Sequence, residues 1–107
     1  MSEIQTLADL INTFAGNRNW HQYHTPKNLS MALAGEAGEL LAEFQWLTPE
    51  QSMKESLNKK QLANIELEIA DVAIYLIRLA DVLGVNIADV VNKKITINES
   101  RFNPASS

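Results

Sequence analysis

The stretch from Gly35 to Trp46, GEAGELLAEFQW, decides how the rest of the chain is read. Its spacing predicts a helix with Glu36, Glu39 and Glu43 on one face, since at about 100° per residue the three fall within roughly 60° of one another. Leu29, Ala32, Leu33, Leu40 and Leu47 flank that face within roughly another 60°. The far side, with Met31, Ala34, Gly38, Leu41, Ala42 and Gln45, is scarcely more polar. The helix therefore offers no better candidate for a buried side than the one carrying its glutamates. Carboxylates aligned among core residues repel one another and lose hydration, and both costs demand a compensating cation. A metal site is the first expectation.

Working outward, this second helix is expected from Asn28, as N-cap, to Trp46. Before it, NRNWHQYHTPK (residues 17–27) loses the helical period, and Pro26 pushes Thr25 away from helical angles, so a connecting loop is expected there. A loop of this length holding Trp20, Tyr23 and two histidines is a candidate functional segment. The first helix is expected over Glu3 to Ala15, with Ser2 as N-cap and Gly16 and Asn17 as its stop. After the second helix, Thr48-Pro49-Glu50-Gln51 has the form of a capping box, followed by a short polar helix or turn to about Ser56.

The third helix is expected from Lys59 to Leu83, ended by Gly84. Ile65, Ile69, Val72, Leu76, Leu79 and Leu83 form a 4-3 seam, and the opposite side, with Ala63, Ala70, Ala73, Ile74 and Ile77, is also apolar. A helix apolar nearly all round is normally buried on every side. Four helices cannot easily bury it alone, so a second subunit is expected over one face. Asn86 caps a fourth helix from Ile87 to about Phe102. The fold class is all-α: a four-helix bundle completed by dimerisation. One domain is expected over residues 1–107, with residues 1–2 and 103–107 as flexible ends.

Composition narrows the function classes. The hydrophobic fraction of 46% suits a folded domain, and the absence of cysteine excludes disulfides, thiolate ligands and a thiol nucleophile, in keeping with a reducing cytoplasm. A net charge of −4 disfavours a nucleic-acid polymer as partner. No basic leader with an apolar core is seen, and no apolar run approaches the ~20 residues that span a bilayer, so no membrane partner is expected.

The third helix repeats the pattern of the second. Glu68 and Asp71 are spaced i, i+3, with Tyr75 and Asn64 on the same face. Two helices so marked can aim four carboxylates, Glu36, Glu39, Glu68 and Asp71, at one spot. Oxygen ligands without Cys or His suit Mg²⁺, with Mn²⁺ as a substitute, rather than zinc. A di-iron bundle would use Glu-x-x-His pairs, which neither helix has. The fourth helix adds Lys94, Asn98 and Arg101 within about 60° of one another, placed to meet phosphate oxygens. With Trp20, Trp46 and Tyr75 able to stack on a base, the composite suits a nucleoside triphosphate with its metal.

In that order, GEAGELLAEFQW, ELEIADVAIYL and KITINESRF resemble the MazG-like all-α nucleotide pyrophosphohydrolases, and among them the branch that includes dCTP pyrophosphatase. The resemblance runs from about Phe14 to Arg101. The family pattern E-x-x-E, spacer, E-x-x-D is matched by Glu36, Glu39, Glu68 and Asp71. It implies Mg²⁺ held by these four acids and hydrolysis between the α and β phosphates, giving monophosphate and pyrophosphate. It also implies assembly as a homodimer or homotetramer, and a role in dNTP pool control or house-cleaning. Trp20 and His24 resemble loop residues of the base and sugar pocket, and Trp46 and Tyr75 its aromatic residues. Lys94 and Asn98 resemble the contacts of the last helix, with Arg101 a weaker match. Glu43 lies outside the motif, and its role is left open as metal outer shell or water activation.

Each residue also has a plainer reading. A lone acidic pair is ordinarily a solvated face, but two pairs beside apolar seams are not explained that way. His24, and more so His21, read alone as surface or loop-bracing histidines; Trp46 alone reads as core, and Lys94 and Arg101 as solvated. Glu66 and Asp81 fall off the acidic face and read as surface or interface charges. A non-catalytic helical oligomerisation or regulatory module would account for the apolar third helix, though not for four inward carboxylates.

Overall fold

Each α-helix begins where a side-chain oxygen takes up one of the amides that the first turn leaves without a partner. In the computed structural model, which describes residues 2–102, these helices are α1 (Glu3–Asn17), α2 (Pro26–Ala42), α3 (Lys59–Val82) and α4 (Ile87–Arg101). The caps are Ser2, Thr25, Asn58 and Asn86, accepting from the amides of Gln5, Asn28, Gln61 and Asp89 at 3.1, 3.1, 2.8 and 3.0 Å. At α3 the box is reciprocal, since the Asn58 amide donates back to Gln61 Oε1 at 2.9 Å. Two short 3₁₀ turns, His21–Tyr23 and Lys54–Ser56, interrupt the connections. The described residues contain no strand, so the all-α expectation holds. Met1 and residues 103–107, expected to be flexible, lie outside the described residues.

Three boundaries differ from expectation. The first helix does not stop at Gly16 but runs to Asn17 and closes through Asn19, whose φ is +58°. The amide of Trp20 donates to Ala15 O at 2.9 Å and that of Asn19 to Gly16 O at 3.1 Å, the paired bonds of a Schellman motif with asparagine in the left-handed position. The same motif ends α3, where Gly84 has φ +68° and Val85 donates to Ala80 O at 2.8 Å. The second helix starts at Pro26 rather than beyond Asn28, because Thr25 caps it and proline needs no amide partner at the first position.

The second helix also ends at Ala42, four residues short of Trp46. Glu43 is its C-cap, and the bonds tighten to the i→i−3 kind, Glu43 to Leu40 O at 3.1 Å and Phe44 to Leu41 O at 2.9 Å. The two aromatics lose rotamer freedom in a helix, and Pro49 forbids helical angles at Thr48, so the chain unwinds into turns there. The box at Thr48 does form, with both bonds made at 2.9 and 3.1 Å, but only turns follow it.

Helix α3 is the axis, with α1 and α2 packed along it. The buried residues are Ala8 and Ala15 from α1, Leu29 from α2, and Ile65, Arg78 and Ala80 from α3; α4 contributes none. Along the expected seam of α3, Ile65 is buried, while Ile69 and Leu83 are more than half exposed. The radius of gyration is 16.9 Å. A compact domain of this length would have roughly 13 Å. A single chain thus leaves much of its apolar surface uncovered.

Candidate active site

The acidic pairs of α2 and α3 face each other, as packing two i, i+3 faces side by side requires. Glu36, Glu68 and Asp71 each bring a carboxylate oxygen within 4.8 Å of the others. Among the described residues Glu68 Oε2 is buried without a hydrogen-bond partner. Burial pushes the Glu68 carboxyl above the usual carboxylate range, and the charges of Glu39, Asp71, Glu36 and Glu43 push it further. Glu39 is not in the tight triple but stands beside it. Glu43, outside the family motif, adds to the same field although it is the C-cap of α2. A buried carboxyl oxygen with no donor, facing four other carboxylates, fits a hard divalent cation.

An open cavity of about 370 Å³ is lined by Trp20, Tyr23, His24, Asn28, Leu29, Ala32 and Tyr75, of which Ala32 and Tyr75 lie one helical turn from Glu36 and Asp71. Three expected ligand contacts, Trp20, His24 and Tyr75, therefore come together. Trp20 is held edge-on to Phe14, with ring centroids 5.5 Å apart, and tilts towards His24 at 6.3 Å. Asn28 Nδ2 donates to Tyr23 O at 3.0 Å and fixes the end of the loop on α2. The other expected contacts do not line this cavity. Trp46 stands on the turns after α2, 86% exposed. Lys94 and Arg101 are exposed on α4 and Asn98 is half-buried, with the Arg101 guanidinium 5.2 Å from the Phe102 ring.

Sequence reasoning missed Arg78. It is 6% exposed, in the middle of the most apolar helix. Its Nε donates to His24 Nδ1 at 3.0 Å and its Nη1 to Asn12 Oδ1 at 2.7 Å, with Asp81 Oδ2 at 3.6 Å. Asp81, expected as a surface or interface charge, is a partly exposed partner of that buried charge. Burial, then the Arg78 charge, then His21 lower the His24 pKa below its ordinary 6.5. His21 is a brace, as its plainer reading had it: Nε2 donates to Asn12 O at 3.1 Å. Gly16 makes room for it, since a Cβ there would sit 3.3 Å from the His21 ring. The one local sign of Arg78 in the sequence is that it continues the Asp71–Tyr75 face at i+7 and i+3.

The two central helices of the all-helical fold thus converge three carboxylates, and the loop before α2 adds an aromatic-lined cavity. The chain belongs to the MazG-like family, which it matches over residues 32–104. It is similar to dCTP pyrophosphatase 1 of Homo sapiens, 39% identical over 89 residues, which are 83% of this chain and 52% of that protein. The Mus musculus protein of the same name is 38% identical over the same shares. The chain thus spans about half the length of these curated relatives. It is also similar to a pyrophosphatase from Archaeoglobus fulgidus whose crystal structure superposes with a TM-score of 0.87 at 36% identity, covering 97% of this chain and 95% of that one. Among the described residues no helix is long and apolar enough to cross a membrane.

Proposed function

We propose that the chain hydrolyses nucleoside triphosphates, with dCTP-like deoxynucleotides favoured, to the monophosphate and pyrophosphate, with Mg²⁺ as cofactor. The observation that carries this reading is the carboxylate triple with the unpartnered Glu68 oxygen, one helical turn from a cavity lined by Trp20 and Tyr75. Similarity to pyrophosphatases over nearly the whole chain supports it.

Glu36, Glu68 and Asp71, with Glu39 beside them, would hold the metal. When bound it supplies positive charge against the triphosphate and the oxygens of the transition state. The residues supply the rest. Trp20 and Tyr75 hold the base by stacking, and His24 and Asn28 offer polar contacts at the rim. Water adds to the α-phosphorus, the bond to the bridging oxygen breaks and pyrophosphate leaves, while a carboxylate of the acidic set accepts the proton of the water. Lys94, Asn98 and Arg101 on α4 are the groups assigned to the remaining phosphate oxygens, and Trp46 is assigned as a further base contact. A pyrophosphate-coupled assay over all NTPs and dNTPs with Mg²⁺ tests this reading. Turnover is expected, fastest with dCTP and its analogues; a folded, Mg²⁺-loaded protein that turns over none of them ends it.

Assembly as a homodimer or homotetramer belongs to the same reading, in a cytoplasmic setting of dNTP pool control or house-cleaning. Its support is the uncovered apolar surface of α3 and the lack of any buried residue in α4. Light scattering is expected to give twice or four times the chain mass of 11.9 kDa. Ile69→Lys, at a position 52% exposed on the seam, is expected to shift the protein towards monomer. A monomeric native protein at micromolar concentration would remove this part.

A further inference from the structure

We propose that Arg78 is a positioning residue that fixes His24 as the neutral tautomer protonated on Nε2, so that His24 meets a ligand in the aromatic cavity as a hydrogen-bond donor only. The ligand part of this inference rests on the nucleotide reading above; the tautomer part does not.

A guanidinium has no acceptor. Because Arg78 Nε donates to His24 Nδ1 at 3.0 Å, Nδ1 must present its lone pair, and a neutral imidazole then carries its proton on Nε2. A doubly protonated ring would set N–H against N–H beside a buried cation, and the lowered His24 pKa agrees with its exclusion. The guanidinium cannot turn away to release the ring. Asn12 Oδ1 holds its Nη1 at 2.7 Å, and Asp81 draws on the same nitrogen at 3.6 Å. Asn12 is itself tied, through its carbonyl, to His21. Helix α1, the loop and α3 thus meet at one buried side chain.

The consequence is chemical. His24 lines the cavity together with Trp20 and Tyr75. A histidine free to exchange tautomers can accept from an exocyclic amine or donate to an oxygen, and this one can only donate. It therefore selects a ligand edge that presents an acceptor, a base carbonyl or a sugar oxygen, and leaves an amine unpaired.

The test has two readouts. In the free protein, long-range ¹H–¹⁵N correlation of the imidazoles at pH 7.5 is expected to show His24 Nδ1 as the unprotonated, pyridine-type nitrogen and Nε2 as the protonated, pyrrole-type one. The chain has two histidines, and His21→Gln assigns the signals. The opposite tautomer, an exchange average or an imidazolium overturns the proposal. In the second readout, Arg78→Met and Arg78→Lys are assayed with dCTP and Mg²⁺ well below their melting temperatures. Loss of a ground-state contact is expected to raise KM about tenfold with kcat within about twofold. A fall in kcat at constant KM would mark Arg78 as merely structural and overturn the positioning role. If Arg78→Met does not fold, the tautomer of the native protein still decides, and it decides equally if no dNTP is turned over.

Discussion

A Glu68→Gln protein will melt higher than the native chain without metal, and will lose pyrophosphate release with it. Both outcomes follow from one observation. Glu68 Oε2 is buried with no partner, and burial together with Glu39, Asp71, Glu36 and Glu43 opposes its ionisation. A neutral amide removes the central charge and places a donor among the Glu36 and Asp71 oxygens, which lie within 4.8 Å. The metal-free protein is relieved; the site loses the ligand at its centre. Activity is expected to fall on the order of 10³-fold, the size of effect that charge stabilisation and proton transfer contribute in such sites. Glu39→Gln and Asp71→Asn are expected to be inactive too while remaining folded. Glu66→Gln, exposed on the same helix but off the acidic face, serves as control and should leave melting and activity unchanged. Differential scanning fluorimetry with EDTA, followed by the coupled assay, reads both. A lower melting temperature, or activity that survives, would show that the carboxylates are not held in mutual repulsion.

Adding Mg²⁺ to the native protein should raise its melting temperature by about 10–20 °C at a hundredfold excess over Kd. Mass action gives ~2.7 kcal/mol at that excess, and a domain of this size gains roughly 4–8 °C per kcal/mol. The shift should be reversed by EDTA, reproduced by Mn²⁺, and absent in Glu36→Gln and Asp71→Asn. No enzyme turnover is needed to see it. Melting that does not respond to either ion would leave the acidic cluster a structural oddity and remove the metal from the proposed reaction.

Much of this was legible in sequence because the governing rules are local. Ser2, Asn58 and Asn86 cap helices that begin where they were expected, and Gly84 ends α3 through the positive φ that glycine adopts without strain. The acidic pairs could be matched because i, i+3 spacing on two helices needs only that the helices lie side by side. One boundary differs because the sequence offers two caps in a row: Asn28 is the expected one and Thr25 the one used. Thr25-Pro26 and Thr48-Pro49 both offer a cap followed by proline at the first helical position. The first opens a 17-residue helix and the second only turns, although its capping box is complete. The difference lies downstream: an apolar stripe that α3 can cover follows Pro26, whereas polar residues follow Pro49. Trp46 was assigned to a helix that had ended at Ala42. Arg78 was not singled out because its partners, Asn12 and His24, lie 66 and 54 residues away, and no periodicity links positions so far apart.

Gly16 shows what that long-range junction asks of an otherwise ordinary helical position. Alanine there would favour the helix by roughly 1 kcal/mol. It would also press on the His21 ring at 3.3–3.4 Å, and His21 holds Asn12, which holds Arg78, which holds His24. A methyl group on one side of α1 would thus press on the junction that holds the histidine of the cavity. At this position robustness and recognition pull in opposite directions, and the chain carries the residue that weakens its own helix.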